Sequence, residues 1–531
     1  MAISDIYREG MASGWKVIDA ATLAEPLTLE ADVAIIGSGA GGGVAAEILS
    51  LAGLRVLLLE EGPLRTSDSF KDMDEARAYR ELYQEAGARA TSDGAIAVMQ
   101  GRAVGGSTTI NWSSSFRTPA PTLQHWAAQH EVVGHSVDDM KPWFERMEER
   151  LSIAPWAALP NANNSVLKRA CDALGWESHV IPRNVKGCWD SGYCGFGCPV
   201  NAKQSMLVST IPVALQHGAT LVHRLRVRQL QHSDGKITGA IGQALGRYGR
   251  TPSGVAVTIK AKHYIACGGA INTPALLLRS QLPDPHQRLG RRTLLHPVVV
   301  SLALMPERID PFYGTPQSIA SDHFQWNHGA SGPMGYKLEV PPLAPGLTAS
   351  AFNSVGQALR SDMAALAHAN GMLALLRDGF VPESEGGSVR LAADGSPILD
   401  YELTEYAWDG ARRAFLSMVE AQFAAGARKV RPGHIDAPHY SSWSEARQAI
   451  AVLPMRKFLV SLFTAHQMGG CAMSENVKRG VVNSGGRHHQ IANLSVMDGS
   501  VFPTSIGANP QLSIYALSAQ NASALAQELR R

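Results

Sequence analysis

Charge of one sign is what this 531-residue chain has least of: 48 Lys and Arg stand against 46 Asp and Glu, a formal net charge of +2, and the two signs are interspersed. Gripping a polyanion needs a basic stripe or patch, so nucleic acid and anionic membrane surfaces are not expected as partners. Long apolar runs are missing too. None reaches a membrane-spanning length without a charge or a proline, and the first nine residues carry neither an apolar signal core nor twin arginines. These absences predict a cytoplasmic chain with no transmembrane segment. Cysteine is scarce, six in all, which argues against a disulfide framework, and no internal repeat is visible.

Against these absences stand 51 glycines, more than the usual share of about 7%, in a chain whose 45% hydrophobic content can bury a large core spread over two to four lobes. The glycines are placed with purpose. Val33-Ala34-Ile35-Ile36 is followed by Gly37-Ser38-Gly39-Ala40-Gly41-Gly42, a helical run at 44–54, and Val56-Leu57-Leu58-Leu59-Glu60. A buried strand, a glycine turn, a helix and a second strand ending in an acid spell a dinucleotide cradle. Gly37 permits the tight turn, Gly39 lets backbone N–H groups approach a pyrophosphate, and Gly42 lets helix and strand pack closely. Glu60 is placed to accept hydrogen bonds from an adenosine ribose, which favours FAD or NAD over NADP.

The fold class expected is α/β, a Rossmann-like FAD-binding domain interleaved with an α+β substrate-binding domain built on a mixed sheet flanked by helices. The first comprises 31–125, 210–296 and 466–531; the second, with a cysteine loop, comprises 126–209 and 297–465; residues 1–30 form a polar lead-in. Apolar spacing predicts helices at 122–129, 137–151, 165–174 and 512–529, a charged helical segment at 70–90 and a hydrophobic helix at 363–376. Alternation from 220 to 265 predicts a strand meander leading into Cys267-Gly268-Gly269, and 397–403 reads as a strand.

Two C-terminal stretches hold the reactive candidates. His466-Gln467-Met468-Gly469-Gly470 places an imidazole before a glycine pair, although on this pattern alone a structural histidine is the commoner reading. Asp498 ends an apolar strand, where it suits a flavin phosphate or ribityl group as well as an ordinary turn. Asn509-Pro510 opens the last helix, whose N-terminal partial positive charge would stabilise negative charge on a flavin's pyrimidine edge.

In their order and spacing these elements resemble the glucose-methanol-choline (GMC) oxidoreductases, with further matches at 101–111, 267–278 and 289–297, over about 33–522 of the chain. The wording of the glycine turn and of Cys194-Gly195-Phe196-Gly197-Cys198-Pro199 looks most like the long-chain alcohol oxidase branch and its bacterial FAD-dependent alcohol dehydrogenase relatives. The resemblance implies an FAD enzyme oxidising the CH–OH group of a primary, hydrophobic alcohol to the aldehyde, with hydride passing to flavin N5. It implies His466 as the catalytic base and Asn509 as its partner. A neutral imidazole within reach of the hydroxyl is what such chemistry needs, and the Asn509 amide would hold the developing alkoxide. Cofactor contacts are implied at Gly37, Gly39, Gly42, Glu60, Gly105, Gly106, Ser107, Asn111, Val227, Asp498, Asn509 and Pro510. In relatives with a covalently held flavin a histidine stands where this chain has Ile110, so FAD is expected to be noncovalent.

Cys188, Cys194 and Cys198 crowd into eleven residues. That spacing suits an iron-sulfur cluster and resembles the cluster-binding sugar dehydrogenases of the same superfamily; the competing readings are an inert loop and a zinc site lacking a fourth ligand, the cluster is not favoured, and no metal site is assigned. Alternatives for the whole chain are the catalytic subunit of a sugar or polyol dehydrogenase, or a hydroxynitrile lyase on the same fold. Oxygen, a quinone or a cytochrome could each serve as electron acceptor.

Overall fold

The computed structural model describes residues 3–246 and 249–531. One large sheet runs in the order Lys16–Asp19, Thr220–His223, Val56–Leu59, Leu27–Ile36, Pro252–Ala266, Lys236–Leu245 and Leu225–Ser233. Its centre is parallel. The long strand Pro252–Ala266 offers one edge to Leu27–Ile36 and shares the other between the hairpin strand Lys236–Leu245 and the C-terminal strand Leu494–Val496. Val33, Ile35, Val56 and Leu58 pack on one face with Val44, Leu49, Leu512 and Tyr515, from helices Ala40–Leu51 and Gln511–Leu529. Ala34, Ile36, Leu57 and Leu59 pack on the other face with Val222, Leu225 and Trp126. Burial on both faces is why these strands read as unbroken apolar runs.

Residues 1–30 do more than lead in. Lys16–Asp19 pairs in parallel with Thr220–His223 as the sheet's edge, and Leu27–Ile36 begins six residues before the apolar run. These stretches alternate between half-buried and exposed positions or stay half-exposed, so no apolar signal marked them.

The second large sheet runs Ile96–Val98, Leu462–Thr464, Val298–Leu304, Ala369–Leu376, Tyr336–Glu339, Ile319–Ser321 and His179–Val180. Helix Glu405–Ala424 lies on its back, burying Trp408, Phe415 and Met418 among Val299, Met372, Ala374 and Leu376. The hydrophobic helix expected at 363–376 is therefore a correction. A helix ends at Ala364, and Ala369–Leu376 is a central strand, buried at every position. Its even residues meet the long helix and its odd ones, Leu373 and Leu375, turn with Val298 to the opposite side. A strand apolar on both faces has no period of two to betray it.

Helices Ala120–His130, Val137–Arg150, Ala162–Leu174 and Gln511–Leu529 form where spacing predicts them. The segment at 70–90 is helical only at Glu75–Leu82 beyond a short turn at Ser67–Phe70. Among the described residues no helix is long and apolar enough to cross a membrane.

Candidate active site

A cavity of about 590 Å³ runs from the glycine turn of the first sheet to the inner face of the second. At one end the backbone itself forms the wall. Gly37 has φ +106°, and a Cβ there would lie 2.2 Å from the Cys267 carbonyl oxygen; a Cβ on Gly41 would meet the Met497 oxygen at 1.6 Å. No side chain could be added without separating the strands. Helix Ala40–Leu51 starts at Gly39 with no side-chain cap, and Gln511–Leu529 starts at Pro510 likewise, so two helix N-termini point unquenched N–H groups toward this space.

Glu60 lines the same end, its carboxylate accepting from Ser38 N and Oγ (3.1 and 2.5 Å) and from Gly62 N (2.7 Å). Burial raises its pKa. Ser107, Gly106, Asn111, Val227 and Asp498 also reach the cavity. Asp498 is held rigidly, accepting from Gly269 N, Thr273 Oγ1 and Ser500 N. Two candidates stand behind the wall. Gly42 packs against the Gly37 carbonyl, where a Cβ would come within 1.9 Å, and Gly105 donates its N–H to Ser38 Oγ at 3.0 Å.

At the other end His466 follows the strand Leu462–Thr464 and Asn509 precedes the last helix, and both face the cavity. The His466 side chain is half-buried and lines the cavity, and burial lowers its pKa to about 4. At that value the imidazole is neutral at pH 7. Its Nδ1 lies 3.1 Å from Nδ1 of His296. Asn509 turns its Nδ2 to Glu339 Oε2 (3.2 Å), and its Oδ1 has no hydrogen-bond partner among the described residues. The site thus brings together an imidazole, an amide and a glycine-lined cradle in one continuous space.

Models of the N-terminal and C-terminal parts of GMC oxidoreductases match residues 79–298 and 382–518. The chain belongs to the GMC oxidoreductase family. An uncharacterized GMC-type oxidoreductase of Sinorhizobium fredii is 31% identical over 506 residues, 93% of this chain and 94% of that protein. A long-chain-alcohol oxidase of Arabidopsis thaliana is 27% identical over 514 residues, 92% of this chain and 66% of that one. Formate oxidase of Aspergillus oryzae shares the fold at a TM-score of 0.69 with 15% identity, covering 96% of this chain and all of that one. Pyridoxine 4-oxidase of Mesorbium loti does so at 0.66 with 18%, covering 92% and 98%.

As a GMC oxidoreductase the chain is an FAD enzyme, and its residues fit that cofactor: a glycine turn packed too closely on neighbouring backbone for a Cβ at Gly37 or Gly41, two uncapped helix N-termini and a buried carboxylate at the end of the second strand. The cysteine loop of this GMC chain lies beside the site without joining it. Cys194 Sγ accepts from Arg183 (3.8 Å), Cys188 Sγ from Asp190 N and Cys198 Sγ from Lys203 N. All six cysteines are free. Among the described residues no group of three His, Cys, Asp or Glu is placed to hold a metal ion.

Glu339 and His296 are residues that sequence reasoning missed. Glu339 is fully buried, accepts from Gln317 Nε2 (2.5 Å) as well as Asn509, and leaves Oε1 unpartnered among the described residues. Burial pushes its pKa up to about 7. Because the folded value lies above the unfolded one, the protonated acid contributes stability that is complete below about pH 4.5 and is lost as pH rises through 7. Glu339→Gln keeps the amide contact and removes the buried charge. Its thermal midpoint should exceed that of the parent at pH 8, by a margin on the order of 3 kcal/mol in unfolding free energy, and match it at pH 4.5. An equal midpoint at both pH values would show that the carboxyl ionises in the folded protein at no cost, its pKa not raised.

Proposed function

We propose that this GMC oxidoreductase oxidises a primary, hydrophobic alcohol to its aldehyde, with noncovalently held FAD and with His466 as the base. One observation carries the reading: the cavity that contains the glycine cradle also contains His466 and Asn509, and continues past them into a channel lined by Val298, Val300, Leu343, Leu373, Leu375 and Phe463. FAD, when bound, supplies the acceptor for the hydride that leaves the alcohol carbon. It would be held by Gly37, Gly39, Glu60, Gly106, Ser107, Asn111, Val227, Asp498 and the Asn509-Pro510 helix start.

The chain's own residues do the rest. Neutral His466 takes the hydroxyl proton, since a C–H pair departs readily only when electron density builds on oxygen. Asn509 orients that oxygen by hydrogen bonding. The apolar channel excludes water and aligns an aliphatic tail. Ile110 occupies the position at which relatives attach their flavin through histidine, which leaves no nucleophile for a covalent link there.

The name of the Arabidopsis relatives, long-chain-alcohol oxidase, supports both the aliphatic substrate and oxygen as acceptor, with quinone and cytochrome as the other candidates. Mixing FAD-loaded protein with alcohols of graded length in the absence of air tests the reading. Bleaching of the yellow absorbance followed by its return on admitting oxygen is the expected result. A lyase would leave the absorbance untouched while cleaving a hydroxynitrile, and a polyol-specific enzyme would bleach only with polyhydroxy substrates.

A further inference from the structure

His296 is placed as though its position mattered more than its comfort. The chain leaves the strand Arg291–Leu294 and enters Val298–Leu304, and between them His296 takes φ +47°, the left-handed region that a non-glycine residue occupies only when its surroundings insist. Asp378 supplies that insistence. This buried carboxylate accepts from His296 N at 3.1 Å, from Leu295 N at 3.0 Å and from the Tyr401 hydroxyl at 2.7 Å. Clamped so, the fully buried imidazole meets His466 with ring centroids 5.2 Å apart and Nδ1 to Nδ1 at 3.1 Å, while its own Nε2 finds no partner among the described residues.

Two nitrogens at that distance share one proton. If His296 held it, His466 would carry its hydrogen on Nε2 and could not accept another from a substrate. We propose that His296 is the positioning residue of the base: its Nδ1 lone pair accepts the Nδ1–H of His466, fixing the tautomer in which His466 Nε2 is free to take the alcohol proton. The inference rests on the reading of His466 as the base. In the step itself the alcohol O–H bond breaks, its proton forms a bond to His466 Nε2, and the resulting imidazolium keeps its Nδ1–H donated to His296, now as a charge-assisted bond. His296 carries its own proton on Nε2 throughout.

The choice of a neutral partner has a consequence. A carboxylate in the same place would orient the ring but would also raise its basicity, so that the base would be protonated near neutral pH. An imidazole orients it without that charge. The groups facing His296 are His466, Lys337 and the Asp378 carboxylate that holds its backbone; burial together with His466 and Lys337 keeps it uncharged.

The test uses FAD-loaded enzyme with His296→Leu, His296→Asn and His466→Ala, following kcat, KM, the anaerobic bleaching rate and the pH profile. His296→Leu should lower kcat about 10- to 100-fold, the worth of one hydrogen bond to a charged group, with KM little changed and FAD content intact. His296→Asn, whose amide oxygen can accept from Nδ1–H, should recover most of that loss. A normal rate and pH profile in His296→Leu alongside an inactive His466→Ala would overturn the proposal and leave the base in place. A normal rate in His466→Ala would instead remove the base itself. Should the leucine variant fail to hold FAD, nitrogen NMR of histidine-labelled parent enzyme decides: a proton on His466 Nδ1 supports the proposal, and one on Nε2 overturns it.

Discussion

Replacing His466 by alanine should leave a yellow, folded, FAD-loaded protein whose turnover has fallen by about 10²-fold or more. The expectation comes from what the ring touches. Its backbone N–H donates to Thr464 Oγ1 at 3.1 Å, and among the described residues its side chain has no hydrogen-bonding partner besides His296. Nothing in the cradle leans on it. A histidine kept for packing would show its loss as a lower melting temperature and a lower flavin content; a base shows it as a lower rate with both intact. The pH profile gives a second, independent handle. Burial holds the ring near pKa 4, so it is deprotonated and ready from about pH 5 upward, and kcat/KM should carry no inflection near the ordinary histidine value of about 6.5. An FAD-loaded alanine variant turning over at close to the parental rate would remove His466 from the chemistry.

Much of this arrangement could be read from residues whose constraints are local. The turn at 37–42 announces itself because positive φ at Gly37 and the close approach at Gly41 exclude every other side chain, and the last helix could be located to within a residue from its spacing. What escaped reading shares one property: its meaning lies in contacts between distant segments. Glu339 sits inside Tyr336–Glu339, a strand with no motif, and matters only because Asn509, 170 positions later, donates to it. His296 lay within a matched element at 289–297, yet no spacing rule places its ring against His466. The strand Ala369–Leu376 imitates a hydrophobic helix in sequence because both its faces are apolar, one against a helix and the other against the cavity. The feature that hid its secondary structure is the one that gives the channel its wall.

That wall yields the second large expectation, a steep dependence of kcat/KM on chain length. Val298 and Val300 stand two residues apart on one face of the strand that follows His296, and at about 3.3 Å per residue they carry apolar surface over about 7 Å of that strand. Leu373 and Leu375 run alongside on the antiparallel neighbour, in register Val300↔Leu373 and Val298↔Leu375, so the tail of a straight-chain alcohol would be in apolar contact along that length. Each methylene withdrawn from water stabilises the bound state by about 0.8 kcal/mol, close to fourfold in rate constant per carbon. From butanol to decanol kcat/KM should therefore climb by about 10³-fold. Val300→Trp should halt the climb at a shorter chain while leaving butanol nearly unaffected, because the obstruction lies beyond a short tail's reach. A flat series, or one highest for polyhydroxy substrates, would mean that the channel is ordinary core and that the substrate enters elsewhere.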